Sequence, residues 1–139
     1  MAGLRLGMAF ADPKVVQILN NIKYPYNINM VSQEQVEEAL NHGIEKEKMV
    51  EEILKQRDFL VQNLNTMNIV EKVYPTDSNF VLTRFTKAKV IYKKLLEHQI
   101  IVRDRTSLIN CENCLRITVG TESENLELIN RLKEIEQSI

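Results

Sequence analysis

The sequence predicts an α/β domain of the α+β kind, in which helices pack on a small sheet behind a long connecting helix. Three observations predict it. From residue 69 onward the apolar pattern runs strand, strand, helix, strand, strand, helix. Residues 32–67 carry apolar positions at helical spacing, opened by a capping signature. The 139 residues are 44% hydrophobic and 27% charged, a balance that buries a core and keeps a solvated exterior.

Composition also excludes. A net charge of −1, with no basic run interleaved with aromatics, argues against a nucleic-acid surface. No apolar run approaches the roughly 18 residues of a membrane span, and the N-terminus has no charged region followed by an apolar stretch and a cleavage site. A cytoplasmic protein is expected. The two cysteines form Cys111-Glu112-Asn113-Cys114. A zinc site would need two further ligands, and the histidines, His42 and His98, fall in separate helical patterns. A thioredoxin-like pair would open a helix, whereas this one precedes a strand, so ordinary reduced thiols in a turn are expected.

In chain order, Leu4, Leu6, Met8 and Phe10 alternate with Gly3, Arg5, Gly7 and Ala9, the pattern of a strand with one apolar face and one face of small residues around an arginine. The neighbouring strands are expected outside this chain. Asp12-Pro13 reads as N-cap and first helical position, followed by a short helix marked by Val15, Ile18, Leu19 and Ile22. Pro25 ends it, and the aromatic connector Tyr24-Pro25-Tyr26 fits a hinge or site edge as well as packing at a domain border. Ser32-Gln33-Glu34-Gln35 reads as a capping box that opens the longest helix. Val36, Ala39, Leu40, Val50, Ile53, Leu54, Leu60, Val61 and Leu64 form its apolar stripe, reaching about Met67. His42-Gly43 interrupts it, and a glycine inside a helix costs roughly 1 kcal/mol relative to alanine, so a kink or break is expected there. The charges of residues 45–48 read as a solvated face, and His42 as a surface or packed side chain.

Residues 69–74 and 79–85 read as strands joined by the turn Pro75-Thr76-Asp77-Ser78. Ala88, Ile91, Tyr92, Leu95 and Leu96 recur at helical spacing and place Tyr92 in the core. Residues 100–103 form a short apolar run ending at Arg103. Leu126, Ile129, Leu132 and Ile135 mark a closing amphipathic helix. Before it, Cys114-Leu115-Arg116-Ile117-Thr118-Val119-Gly120-Thr121 carries the strongest signal in the chain. Alternation sends Leu115, Ile117 and Val119 to a core and Arg116 to the other side, while Gly120 supplies a bend and Thr121-Glu122-Ser123-Glu124 caps a helix. An arginine fixed on a strand offers a planar two-pronged donor to a carboxylate or phosphate. From spacing alone, an ordinary surface arginine on a half-solvated sheet fits as well.

Ala2-Gly3-Leu4-Arg5-Leu6-Gly7, Val102-Arg103-Asp104 and Cys114-Leu115-Arg116-Ile117-Thr118-Val119-Gly120, in this order and spacing, resemble the C-terminal part of histidinol-phosphate aminotransferases, fold-type I enzymes that depend on pyridoxal phosphate. Val73-Tyr74-Pro75-Thr76-Asp77-Ser78-Asn79-Phe80 and Tyr24-Pro25-Tyr26-Asn27-Ile28-Asn29 add to the likeness. The resemblance implies a fold in which residues 1–31 are a remnant of the large cofactor-binding domain and residues 32–139 are the C-terminal small domain with its connecting helix. It also implies roles. Arg5 looks like the arginine that binds the cofactor phosphate, and Arg116 like the one that grips the substrate α-carboxylate. Arg103 is similar to the one that binds the phosphate of histidinol phosphate or the side-chain carboxylate of glutamate. Asn79 matches a motif near the site without an assigned role.

In the family the Schiff-base lysine stands a few residues before the Ala-Gly-Leu-Arg motif, outside this chain, so no catalytic residue is expected here. No tight cofactor binding is expected from this chain alone, and no metal. The implied reaction, in histidine biosynthesis, takes histidinol phosphate and 2-oxoglutarate to imidazoleacetol phosphate and glutamate. The implied partners are the amino donor, the 2-oxo acid and, in the family, a second subunit of a homodimer. The alternative is a non-catalytic α/β interaction module that pairs with a partner chain or with itself through the apolar edge of residues 4–10.

Overall fold

The computed structural model describes residues 2–41 and 43–139. The chain divides into two compact units, residues 1–47 and residues 48–139.

The second unit is a two-layer α/β domain. Its sheet has four strands, β1 (Val70–Val73), β2 (Phe80–Phe85), β3 (Arg103–Asp104) and β4 (Cys114–Thr118), in the order β1-β2-β4-β3. Every neighbouring pair is antiparallel. Strand β2 shows why one face is covered and the other open: Val81, Thr83 and Phe85 are buried, while Phe80, Leu82 and Arg84 between them are half-buried. On the covered face lie the C-terminal half of α3 (Gly43–Leu64), α4 (Ala88–Glu97) and α5 (Glu122–Ser138). Leu60 and Leu64 of α3, Ile91 and Leu95 of α4, and Leu128, Ile129, Leu132 and Ile135 of α5 join Val81, Phe85, Leu115 and Ile117 in one apolar cluster. Tyr92 packs partly buried against that cluster, as its helical spacing predicts. Fully burying side chains of this size is worth about 1.5–3 kcal/mol each before entropy is charged.

Polar groups tie the layers together. Gln56 and Asn125, only 3% and 2% exposed, meet inside the core, with Asn125 Nδ2 donating to Gln56 Oε1 at 3.1 Å. The Glu136 carboxylate accepts from the N–H groups of Asn68 and Ile69, fastening the end of α5 to the start of the sheet.

In the first unit, α1 (Pro13–Ile22) starts where Asp12-Pro13 predicts, with the Asp12 carboxylate accepting from Lys14 N–H at 2.9 Å. Neither α1 nor α2 (Met30–Leu40) has a buried residue, and the apolar face of α1, Val15, Ile18, Leu19 and Ile22, is exposed. Tyr24 and Tyr26 are exposed too.

Several sequence expectations need correction. The strand expected over residues 4–10 is absent: Ala2–Leu4 is a single 3-10 turn and residues 5–10 have no regular structure. An alternating pattern needs a ladder partner, and none of the four strands pairs with it. The second cap is Asn29, whose side chain accepts from Ser32 N–H at 2.8 Å, so α2 opens ahead of the expected Ser32. The helical stretch does break, between Leu40 and Gly43. His42 lies outside the described residues. Leu40, Val50 and Leu54 of the expected stripe are exposed. In α5, Leu126 is exposed and Leu128 takes the core position.

Candidate functional site

Strand β4 runs inside the sheet, between β2 and β3, and its alternation is as the sequence predicts. Leu115 and Ile117 are buried, while Arg116 is half-buried on the open face. Register then fixes its neighbours. Arg116 lies opposite Leu82 on β2 and opposite Arg103 on β3. Directly paired residues point to the same face, so the two arginines share the open face as a cross-strand pair.

Two like charges placed opposite each other cost stability rather than adding to it. None of the ion pairs among the described residues involves either arginine. The Arg116 guanidinium rests on the Phe80 ring, with Cζ 4.9 Å from the centroid, which supports the charge without neutralising it. Its Nε is buried and has no hydrogen-bond partner. Two planar donors thus share one face with an aromatic ring under one of them, an arrangement that can receive an anion.

The end of β4 is pinned. Asn125 Oδ1 accepts from Gly120 N–H at 3.0 Å, and its Nδ2 donates back to Gly120 O at 2.9 Å. The capping box is complete, with Thr121 and Glu124 exchanging bonds, and those bonds hold the Glu124 carboxyl below its ordinary pKa, the Thr121 N–H contributing most. A side chain at Gly120 would crowd the cap, a reason for glycine that the sequence did not reveal. Its φ is not positive, but a Cβ there would stand 2.8 Å from Glu124 Oε2 and 3.1 Å from Glu124 Cβ.

Pairing of β3 with β4 ends at Arg103 and Arg116, although Val102 stays buried in the core and Ile100 packs against it. Beside these groups is a cavity of about 580 Å³ lined in part by Ile101, Thr118, Gly120 and Glu124. The apolar run expected as a strand over 100–103 thus contributes only its last residue to the ladder.

The other residues singled out in the sequence lie apart from the pair. Asn79 is exposed just before β2, and its carbonyl accepts from Val119 N–H at 2.9 Å, a position of core-side parity rather than that of Arg116. Arg5 belongs to the first unit, where it is exposed with φ 56°, a left-handed backbone uncommon for a residue with a side chain. Cα positions at Gly3 and Gly7 face open space. The cysteines are both free, Cys111 half-buried and Cys114 buried.

Sequence reasoning missed a second basic row on the same face. Lys72 pairs with Arg84, and Arg84 with Cys114. The Tyr74 ring lies 4.8 Å from Lys72 Nζ and 5.9 Å from Arg84 Cζ. The period-two alternation of Phe80, Leu82 and Arg84 was the signal that would have found it. Among the described residues no group of three or more His, Cys, Asp or Glu could hold a metal, and no helix is long and apolar enough to cross a membrane.

A two-layer domain presenting paired arginines on its open sheet face matches a known class, and residues 1–132 fit the family model described as aminotransferase class I and II. The chain belongs to this family. Among curated relatives, histidinol-phosphate aminotransferase of Cytophaga hutchinsonii is 50% identical over 133 residues, covering 96% of this chain and 38% of that protein. The enzyme of the same name from Parabacteroides distasonis is 44% identical over 134 residues, covering 96% and 39%. The chain thus spans well under half the length of the relatives it matches. Among solved structures, a putative aminotransferase from Burkholderia pseudomallei superimposes with TM-score 0.88 at 25% identity, over 98% of this chain and 41% of that one. Histidinol-phosphate aminotransferase from Clostridium acetobutylicum gives TM-score 0.82 at 22% identity, over 91% and 39%, a likeness of fold. These matches do not favour the expectation of a non-catalytic interaction module.

Proposed function

We propose that the chain is the substrate-gripping C-terminal part of a cytoplasmic, homodimeric aminotransferase that moves the amino group of histidinol phosphate to 2-oxoglutarate, giving imidazoleacetol phosphate and glutamate in histidine biosynthesis. Residues 1–31 then belong to the large cofactor domain and residues 32–139 to the small domain. The observation that carries this is the cross-strand pair Arg103 and Arg116 on an open face, in a chain 50% identical to an enzyme of that name.

The chemistry of the substrates makes a paired site useful. Glutamate and 2-oxoglutarate each bring two carboxylates, whereas histidinol phosphate has no carboxylate and brings one phosphate. Arg116, braced by Phe80 on an inner strand, takes the α-carboxylate. Arg103 takes the second carboxylate or the phosphate, so one pair of guanidiniums orients both amino donors. Asn79 stands in the same motif as Phe80, next to it in the chain.

The family implies pyridoxal phosphate in the complete enzyme, where it supplies the electron sink for amino-group transfer. The residues present fit the phosphate end of that group: Arg5 is exposed, and the glycines on either side leave room for an anion to approach. Its left-handed backbone supports a role at a binding site, where such conformations concentrate.

A chimera tests the reading. This chain replaces the matching 133 residues of the Cytophaga hutchinsonii enzyme, and glutamate formation from histidinol phosphate and 2-oxoglutarate is measured. Activity that is lost on changing Arg116→Glu supports the assignment. An active chimera indifferent to that change refutes the role of Arg116, and a folded but inactive one refutes the reading as a whole.

A further inference from the structure

The turn that leads into β4 holds the two thiols, Cys111 in the loop and Cys114 as the first residue of the strand, with Cys114 N–H donating to Cys111 O at 3.0 Å. A turn of this kind brings its first and fourth Cα atoms within about 7 Å, and disulfides bridge Cα separations up to about 6.8 Å. Asn110 just before the turn and Asn113 within it have φ of 64° and 56°, so two residues that tolerate left-handed backbone fold the loop back on itself.

The two thiols differ in access. Cys114 is 0% exposed, whereas Cys111 is reached by solvent. Arg84 leans on the loop from the neighbouring strand, and its register partner is Cys114. Its Nη2 donates to Asn110 O at 3.5 Å and lies 3.7 Å from Glu112 Oε2, while the Cys114 thiol donates to Glu112 O at 3.6 Å. Contact with the Cys114 side chain is the main cause that raises the Arg84 pKa above its ordinary value, although Nε itself has no partner in hydrogen-bond geometry. A permanent positive charge is therefore carried directly across the ladder from the buried thiol.

We propose that Cys111 and Cys114 form a thiol–disulfide exchange site for low-molecular-weight disulfides, with Cys111 as the entry thiol and Cys114 as the resolving thiol. In the first step the Cys111 sulfur, having given its proton to water, attacks one sulfur of the small disulfide. A bond forms between Cys111 and that half, the original S–S bond breaks, and the other half leaves as a thiolate that takes up a proton. In the second step the Cys114 sulfur, also deprotonated, attacks Cys111. The Cys111–Cys114 bond forms, and the second half leaves as a thiol once protonated. Two protein thiols lose two electrons in total and one small disulfide gains them. Arg84 is a positioning residue that offers its charge to the Cys114 sulfur as negative charge gathers there.

Oxidised glutathione is the probe, and the folded chain is examined by intact mass and peptide mapping after acid quenching. Circular dichroism first shows that each variant is folded. The wild type is expected to lose two hydrogens, with both cysteines then closed to alkylation. Cys114→Ser should stop at one glutathione on Cys111. Cys111→Ser should remain unmodified, because burial alone protects Cys114. Arg84→Gln should accumulate the glutathione adduct that the wild type passes through. Stable glutathionylation of the wild type, modification of Cys111→Ser at the wild-type rate, or a disulfide only between chains overturns the proposal. An Arg84→Gln variant that resolves as fast as wild type removes Arg84 from it.

Discussion

Asn125 clamps Gly120 from both sides, accepting from its N–H and donating to its carbonyl, and so holds the point where the arginine-bearing strand hands over to α5. The amide has a third bond, to Gln56 Oε1, and almost no solvent contact. Asn125→Leu leaves the Gly120 groups and Gln56 without these partners, each an uncompensated desolvation of about 1–3 kcal/mol. Urea unfolding should show a lower midpoint with an unchanged slope.

Gly120→Ala should destabilise for a different reason. The added methyl meets the Glu124 carboxylate and Cβ, so the Glu124 side chain must shift within the capping box. A loss of about 0.5–2 kcal/mol, the usual worth of a cap, is expected in the same unfolding experiment. Combining it with Glu124→Ala should cost little more than either change alone, since both disrupt one cap.

The same cap sets an acid limb. Glu124 has a folded pKa below its ordinary value, because the Thr121 N–H and then the Thr121 hydroxyl bond its charged form. Its contribution to stability is therefore complete above the ordinary carboxylate range and is lost as the pH falls through the lowered folded value. Glu124→Gln should flatten this part of the pH–stability curve, read as midpoint temperature against pH.

If Arg103 and Arg116 await an anion, phosphate should stabilise the chain more than chloride at equal ionic strength. At a phosphate concentration ten times the dissociation constant the gain is about 1.4 kcal/mol. Arg116→Gln should abolish this gain while leaving the stability in chloride unchanged or slightly raised, because a like-charge neighbour has gone. Differential scanning calorimetry in both salts checks it.

Leu60→Ala should cost about 2–5 kcal/mol, since Leu60 is wholly buried between α3 and the rest of the core. Ile18→Lys, on a helix with no buried residue, should shift the denaturation midpoint hardly at all. The contrast between the two separates the residues that hold the domain from those that do not.

Where alternation and partners coincide, the sequence alone was sufficient. Strand β2 falls within a residue of its expected bounds, and α4 and α5 form over the residues that mark them, because each has both the right period and a neighbour to pack on. Residues 4–10 have the period without the neighbour, and the pattern does not become a strand. The Ser32 signature lost to Asn29 because an asparagine three residues earlier accepts from the Ser32 N–H itself and so opens the helix a turn sooner. The pairing of Arg103 with Arg116 was not legible at all. It depends on how the intervening loop closes, and that loop is built from left-handed Asn110 and Asn113, whose geometry no periodicity reports.

The two arginines are not mounted alike. Arg116 stands on a strand flanked on both sides, while Arg103 rides on a strand of two paired residues at the margin of the sheet, with residues 100–102 outside the ladder. In the role proposed for them, such a pair would work like a vice with one jaw bolted to the bench and the other on a slide. Ligands that differ in bulk are then expected to displace Arg103, on its two-residue marginal strand, more than Arg116.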